Sequence, residues 1–147
     1  MCIEVRKSCV CGSKNVQFHM RDNVLSSEVI QRIYCPSCRG KVSFDGETMV
    51  EDNGWVIEYD MLLAKTAASL KLRIEAGEVR PDFLFDQGYA CWLEMYPGER
   101  EEIREEKARI TALLQEDQKR YLETIQAWNI ERVDRLKAAG WRKAQSA

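Results

Sequence analysis

The stretch Ser8–Met20, SCVCGSKNVQFHM, places two cysteines one residue apart and follows them with a glycine and an alternating apolar run. A second pair stands in Ile33–Phe44, IYCPSCRGKVSF, where Cys35 and Cys38 are two residues apart and Gly40 comes shortly after. The two pairs read as one constellation: Cys9-x-Cys11, a 23-residue spacer, then Cys35-x2-Cys38. Four thiolates around a tetrahedral zinc lie roughly 3.8 Å apart, so each pair must come from a tight turn. Gly12 and Gly40 suit such turns, because glycine lets the chain bend back while its amides face the sulfurs. Val16, Phe18 and Met20 share one strand face, and Val29–Tyr34 is a second β-prone run. A hairpin of these two strands within the spacer would return Cys35 beside Cys11. A redox dithiol pair and unligated thiols are the alternatives to a four-cysteine metal site.

Outward from this stretch, Asp45-Gly46 and Asn53-Gly54 offer the positive-φ dipeptides of tight hairpin turns, bracketing ETMVED and leading into WVIEY. Residues 1–59 therefore read as a small antiparallel β module. At Asp60 the period changes. Asp60 is a helix cap, Leu63, Ala67, Leu70 and Ile74 form a stripe, and Gly77 ends it. Pro81 suits a first helical turn, and from Phe85 the positions Tyr89, Trp92, Leu93 and Tyr96 fall on one helical face before Pro97-Gly98. From Glu99 to Gly140 no proline or glycine intervenes, which predicts one helix of about 40 residues and about 60 Å. The expected fold class is α+β: a β module over 1–59, then a helical region over 60–147 with two or three helices, the last one long.

The knuckles at CGSKNV and YCPSCRGKVSF resemble the zinc-ribbon class and the related rubredoxin-type knuckles over about residues 8–45. The resemblance implies one ion held by Cys9, Cys11, Cys35 and Cys38. Zn2+ is expected, with iron as the alternative, in which case one-electron transfer is implied. Two departures stand out: the first knuckle is C-x-C, with Ser8 where a C-x-x-C pattern would place its cysteine, and Arg39 separates the second knuckle from Gly40. His19, the single histidine, could replace a cysteine, although a surface histidine is the simpler expectation. Cys91 reads as a small buried apolar residue, and Cys2 as a terminal thiol that could approach the site.

Charge and composition narrow the function. The net charge of −2 is unevenly spread: residues 49–97 carry four basic and nine acidic side chains. Four thiolates and one divalent ion would neutralise the slightly basic first segment, so nucleic-acid binding is not expected despite Lys7, Lys14, Arg21, Arg32, Arg39 and Lys41 around the knuckles. No apolar run approaches the roughly 20 residues that span a bilayer. MCIEVRKSC lacks the apolar core of a secretory signal, so a reducing, cytoplasmic setting is expected. There is no phosphate loop or nucleophile motif, and pairs such as Glu51 with Asp52 read as solvated charge, so enzyme activity is not expected.

The remaining expectation is an adaptor, assembly factor or accessory subunit, with a protein partner or a second copy bound through the helices. Tyr121, Ile125 and Trp128 form a candidate apolar face, either in a coiled coil or, since Lys107, Asp117 and Thr124 interrupt a heptad seam, in a packed amphipathic helix that could bend at Asn129. The aromatic cluster from Phe83 to Tyr96 is expected in the core, against the helix that follows Asp60.

Overall fold

A computed structural model describes residues 3–146; Cys2 lies outside them. The fold is α+β, with antiparallel sheets leading into helices. The chain divides into two compact units, Met1–Leu93 and Glu94–Ala147. The change from strand to helix at residue 60 falls inside the first.

In the first unit, β1 (Ile3–Ser8), β2 (Asn15–Met20) and β6 (Ala90–Trp92) form one antiparallel sheet in the order β1-β2-β6. The other sheet has the order β3-β5-β4, from β3 (Ile30–Tyr34), β4 (Met49–Asp52) and β5 (Trp55–Tyr59). The hairpin expected between the two strands of the cysteine spacer is therefore not formed: β2 and β3 belong to different sheets. The bend at Arg21–Asn23, where Asp22 and Asn23 both adopt positive φ, carries the chain from one sheet to the other.

Alternation in β2 buries Val16, Phe18 and Met20, as the pattern requires. Asn53-Gly54 closes the β4–β5 hairpin with φ of 47° and 91°, the positive pair of a two-residue primed turn. Asp45-Gly46 does not join paired strands. It is a turn in which the Asp45 carbonyl accepts from the amides of Thr48 and Met49, and Gly46 needs no positive φ.

Helix α1 (Met61–Leu72) starts where the Asp60 carboxylate accepts from the Leu63 amide at 3.1 Å. Its buried face is Met61, Ala64 and Ala68, one position offset from the expected stripe, and Leu70 is exposed. Small residues let the helix lie close to what it covers. It ends at Leu72, with Arg73 left-handed at φ 56°, before Gly77 is reached. Pro81 opens α2 (Pro81–Asp86) as its first residue. The helix expected from Phe85 to Tyr96 is replaced by the end of α2, a positive-φ Gly88 and strand β6.

Trp92, fully buried on β6, is the centre of this unit. Its ring lies 5.2 Å from Phe18, 5.8 Å from Trp55 and 5.7 Å from Phe85, so both sheets and α2 meet on it. The Tyr59 hydroxyl, donating to the Ala90 carbonyl at 2.6 Å, ties β5 to β6 across the same interior. Of the aromatic cluster, Phe85 and Trp92 are core, as expected, and Trp92 packs on rings from both sheets; Phe83 and Tyr89 are half-buried and stack on each other, and Tyr96 belongs to the second unit.

The second unit contains α3 (Glu99–Glu102), α4 (Arg104–Ala112), α5 (Gln118–Ala139) and α6 (Arg142–Gln145). The single helix expected over this region is broken. Asp117 leaves helical geometry and its carboxylate accepts from the Arg120 amide at 3.2 Å, which caps α5. Aspartate competes with the backbone for amide protons and so starts helices better than it continues them. With 22 residues, α5 is about 33 Å long. It runs unbroken through Asn129 and ends at Gly140, whose φ of 92° makes it a left-handed cap. Trp128 is buried, with the Arg132 guanidinium 4.8 Å over its ring, and Arg132 lies 3.2 Å from Glu99 on α3. Tyr121 and Ile125 are half-buried, so the candidate apolar face is largely covered. Among the described residues, no helix is long and apolar enough to cross a membrane.

Candidate metal centre

The first cysteine turn is the loop of the β1–β2 hairpin. Ser8 pairs with Asn15 at the end of the ladder, and the Cys9 amide donates to the Lys14 carbonyl at 2.9 Å. Inside that loop the Gly12 amide returns to the Cys9 carbonyl at 2.8 Å, with Gly12 at φ 73°. A side chain there would be strained, which explains the glycine directly after the pair. Ser8, at the position where a longer knuckle would carry its cysteine, instead donates its hydroxyl to the Asn15 side chain.

The second turn follows β3. The Cys38 amide donates to the Cys35 carbonyl at 2.9 Å, and Lys41 continues the winding with a bond to Cys38. Gly40 has no positive φ; it lies in a short 3-10 turn, Arg39–Lys41. Arg39 is a tether: its guanidinium donates to the Glu51 carboxylate at 3.1 Å and lies 5.6 Å from the Phe44 ring.

Two bonds bring the turns together. The Val10 amide donates to the Ile33 carbonyl at 3.1 Å, and the Cys35 amide donates to the Cys9 sulfur at 3.1 Å. The first docks the hairpin loop on the end of β3. The second is the amide-to-sulfur contact that stabilises a thiolate.

Cys9, Cys11, Cys35 and Cys38 thus converge, with all four sulfurs within 4.8 Å of one another. Cys9 and Cys38 are 3.7 Å apart and Cys11 and Cys35 are 3.9 Å apart, close to the roughly 3.8 Å edge of a tetrahedral four-thiolate zinc site. Four soft ligands from two turns could hold a metal, and the donor set suits zinc or iron alike. Cys9, Cys35 and Cys38 are buried; Cys11 is exposed and lies 3.0 Å from the Ser13 hydroxyl.

The environments push the thiols apart. Hydrogen bonds from the Ser13 side chain and backbone, then from Cys9, hold the Cys11 thiol down at about 6. Burial pushes Cys38 up to about 12, and hydrogen bonds with the other sulfurs add to it. Burial also works to raise Cys35, but bonds from the Cys38 backbone and from Cys9 outweigh it and the net direction is down. Sulfurs packed this closely cannot all ionise unaided, and a divalent cation removes that conflict.

The other residues singled out lie elsewhere. His19 is half-buried in β2, opposite Glu4 and Cys91, and is not part of the tetrad. Cys91 is buried in β6, the small interior residue expected. Asp52 departs from the reading of solvated charge: it is 2% exposed and its carboxylate accepts from the Trp92 indole at 2.8 Å. Its place beside Asn53-Gly54 carried no signal of burial, whereas a buried tryptophan in need of an acceptor was a signal present in the sequence. Comparison with protein-family models, with curated proteins and with solved structures finds no match to this chain.

Proposed function

We propose that the protein is a small zinc-stabilised interaction protein, an adaptor, assembly factor or accessory subunit with a zinc-ribbon-like centre. The convergence of Cys9, Cys11, Cys35 and Cys38 within 4.8 Å carries this reading. Four protein thiolates complete a tetrahedron and leave no position for a water, which favours a structural over a catalytic ion. The ion would pin the β1–β2 loop to the end of β3, cross-linking two sheets at the end where Val10 and Ile33 already meet. The adaptor role draws support from the second unit, where Leu122 and Ile130 on α5 and Leu114 before it are exposed. Apolar side chains on a helix surface are the usual anchors of helix-mediated contacts.

Elemental analysis and an absorption spectrum of protein purified without added metal test the ion. One zinc per chain and no visible colour are expected. A red protein with iron-thiolate charge-transfer bands would instead establish the electron carrier, and a metal-free folded protein would end the proposal. Leu122→Glu with Ile130→Glu should abolish co-purification of a protein partner while leaving metal content unchanged. Nucleic-acid binding tighter than about micromolar at roughly 0.15 M salt would overturn the adaptor reading.

A further inference from the structure

Strand β1 is the outer edge of its sheet. The hydrogen-bond phase shows which of its amides face outward. Because the Cys9 amide bonds to Lys14 in the β1–β2 ladder, residues 3, 5, 7 and 9 point their main-chain groups at β2. The Leu93 amide, donating to the Gln17 carbonyl, and the Arg21 amide, donating to Tyr89, show odd-numbered β2 residues bonding away from β1, which agrees with this phase. The outward amides and carbonyls of β1 are therefore those of Glu4, Arg6 and Ser8, all exposed residues. Such an edge is a template for another strand.

We infer that two copies of the protein pair antiparallel along β1, about a twofold axis at Val5, with Glu4 of each copy opposite Arg6 of the other. Phase and charge select this register. Outward-facing residues must meet outward-facing residues, which leaves few alignments. One centred on Arg6 sets arginine against arginine, and one centred on Glu4 sets glutamate against glutamate, both unfavourable for directly opposed pairs. Centring on Val5 forms two Glu4–Arg6 pairs on the solvent face, the face of Gln17 and His19, and makes both pairs hydrogen-bonded ones. On the opposite face, shared with buried Phe18, Val5 meets Val5 and Ile3 lies against the stem of Lys7. The charges that would guard an edge against arbitrary strands are here complementary to their own twofold image. A contact of this length is small, so the dimer is weak and concentration-dependent. The inference is independent of the metal.

Sedimentation equilibrium of the full chain tests it, with circular dichroism to monitor the fold. The wild-type protein should show a reversible monomer–dimer equilibrium. Glu4→Arg alone and Arg6→Glu alone should each weaken it about tenfold or more, and the double variant Glu4→Arg with Arg6→Glu should restore it. Arg6→Pro, which removes an outward amide and no ladder bond to β2, should abolish the dimer while the spectrum stays unchanged. A strictly monomeric wild-type protein would overturn the inference, as would a dimer that single charge reversals leave intact or that the double variant fails to recover.

Discussion

The two units differ in what holds them. In the first, two sheets and a helix converge on Trp92, and the interior includes Phe18, Met20, Leu25, Ile33, Val56, Ile57, Tyr59, Leu84 and Phe85. In the second, the buried apolar residues among those described are Tyr96, Ile110, Trp128 and Ala144. The first has long-range strand pairing and a metal-competent cysteine cluster. The second relies on caps, local helical bonds, and a few side-chain stacks such as Tyr96 on Trp141 at 5.1 Å. The difference limits what an ion has to do. A β module of residues 1–59 would need an ion because it is too small to fold by burial, but the first unit gains a core from α2 and β6. An ion there reinforces one end of an interior that already has a centre.

The sharpest way to break this contrast is to remove a ligand. Cys35→Ser should eliminate stoichiometric metal and give the largest loss of stability, since it removes the ion's entire binding free energy from the folded state. Thermal melting followed by near-ultraviolet dichroism, which reports on Trp92, should fall furthest in this variant. Unchanged melting with metal absent would show that the core around Trp92 is sufficient by itself. Next in size is Trp92→Ala, expected to cost about 3–5 kcal/mol because the cavity faces three other aromatic rings. If that variant keeps its metal while its melting falls, the two ends of the unit are separable.

Asp52→Ala should have a smaller effect, about 1–3 kcal/mol, by removing the carboxylate that accepts from the buried Trp92 indole at 2.8 Å. Asp52→Asn retains an acceptor oxygen and should lose less, a difference that equilibrium urea unfolding can read. Equal losses in the two variants would mean that the charge of Asp52, and not the hydrogen bond, is what the interior uses.

Much of the first unit was legible where chemistry leaves few options. Two cysteine pairs with turn glycines pointed to one cluster. Asn53-Gly54 allowed little besides a primed turn, and Asp60 and Pro81 announced helix starts that the structure has. The errors occurred where spacing imitates another structure. Tyr89, Trp92 and Tyr96 recur at helical intervals, but sheet pairing with β2 and the positive φ of Gly88 override that local pattern. The pairing of the sheets was hidden as well: nothing local to the spacer says that β2 prefers β1 and β6 while β3 prefers β5. In the second unit the helix formers around Leu113–Gln118 concealed a break whose one clear sign was Asp117.

That aspartate supplies the smallest test of the contrast. Asp117→Ala removes the side-chain acceptor for the Arg120 amide, and loss of such a cap typically costs about 1 kcal/mol. A cap acts on the first turn of its own helix, and the second unit has few buried contacts through which the loss could spread. Hydrogen exchange should therefore quicken about fivefold at the first amides of α5, around Arg120 and Tyr121, with no change in β5. Fusion with α4 is the competing outcome: alanine is the best helix former, and without the competing carboxylate the segment Leu113–Gln118 could wind into a continuous helix. Slower exchange across 113–118 would reveal that event, and it would mean that Asp117 is what keeps α4 and α5 from being the single long helix their composition favours. Matching changes in β5 would show instead that the units unfold together, and that the contrast between them describes where residues are buried but not how the protein comes apart.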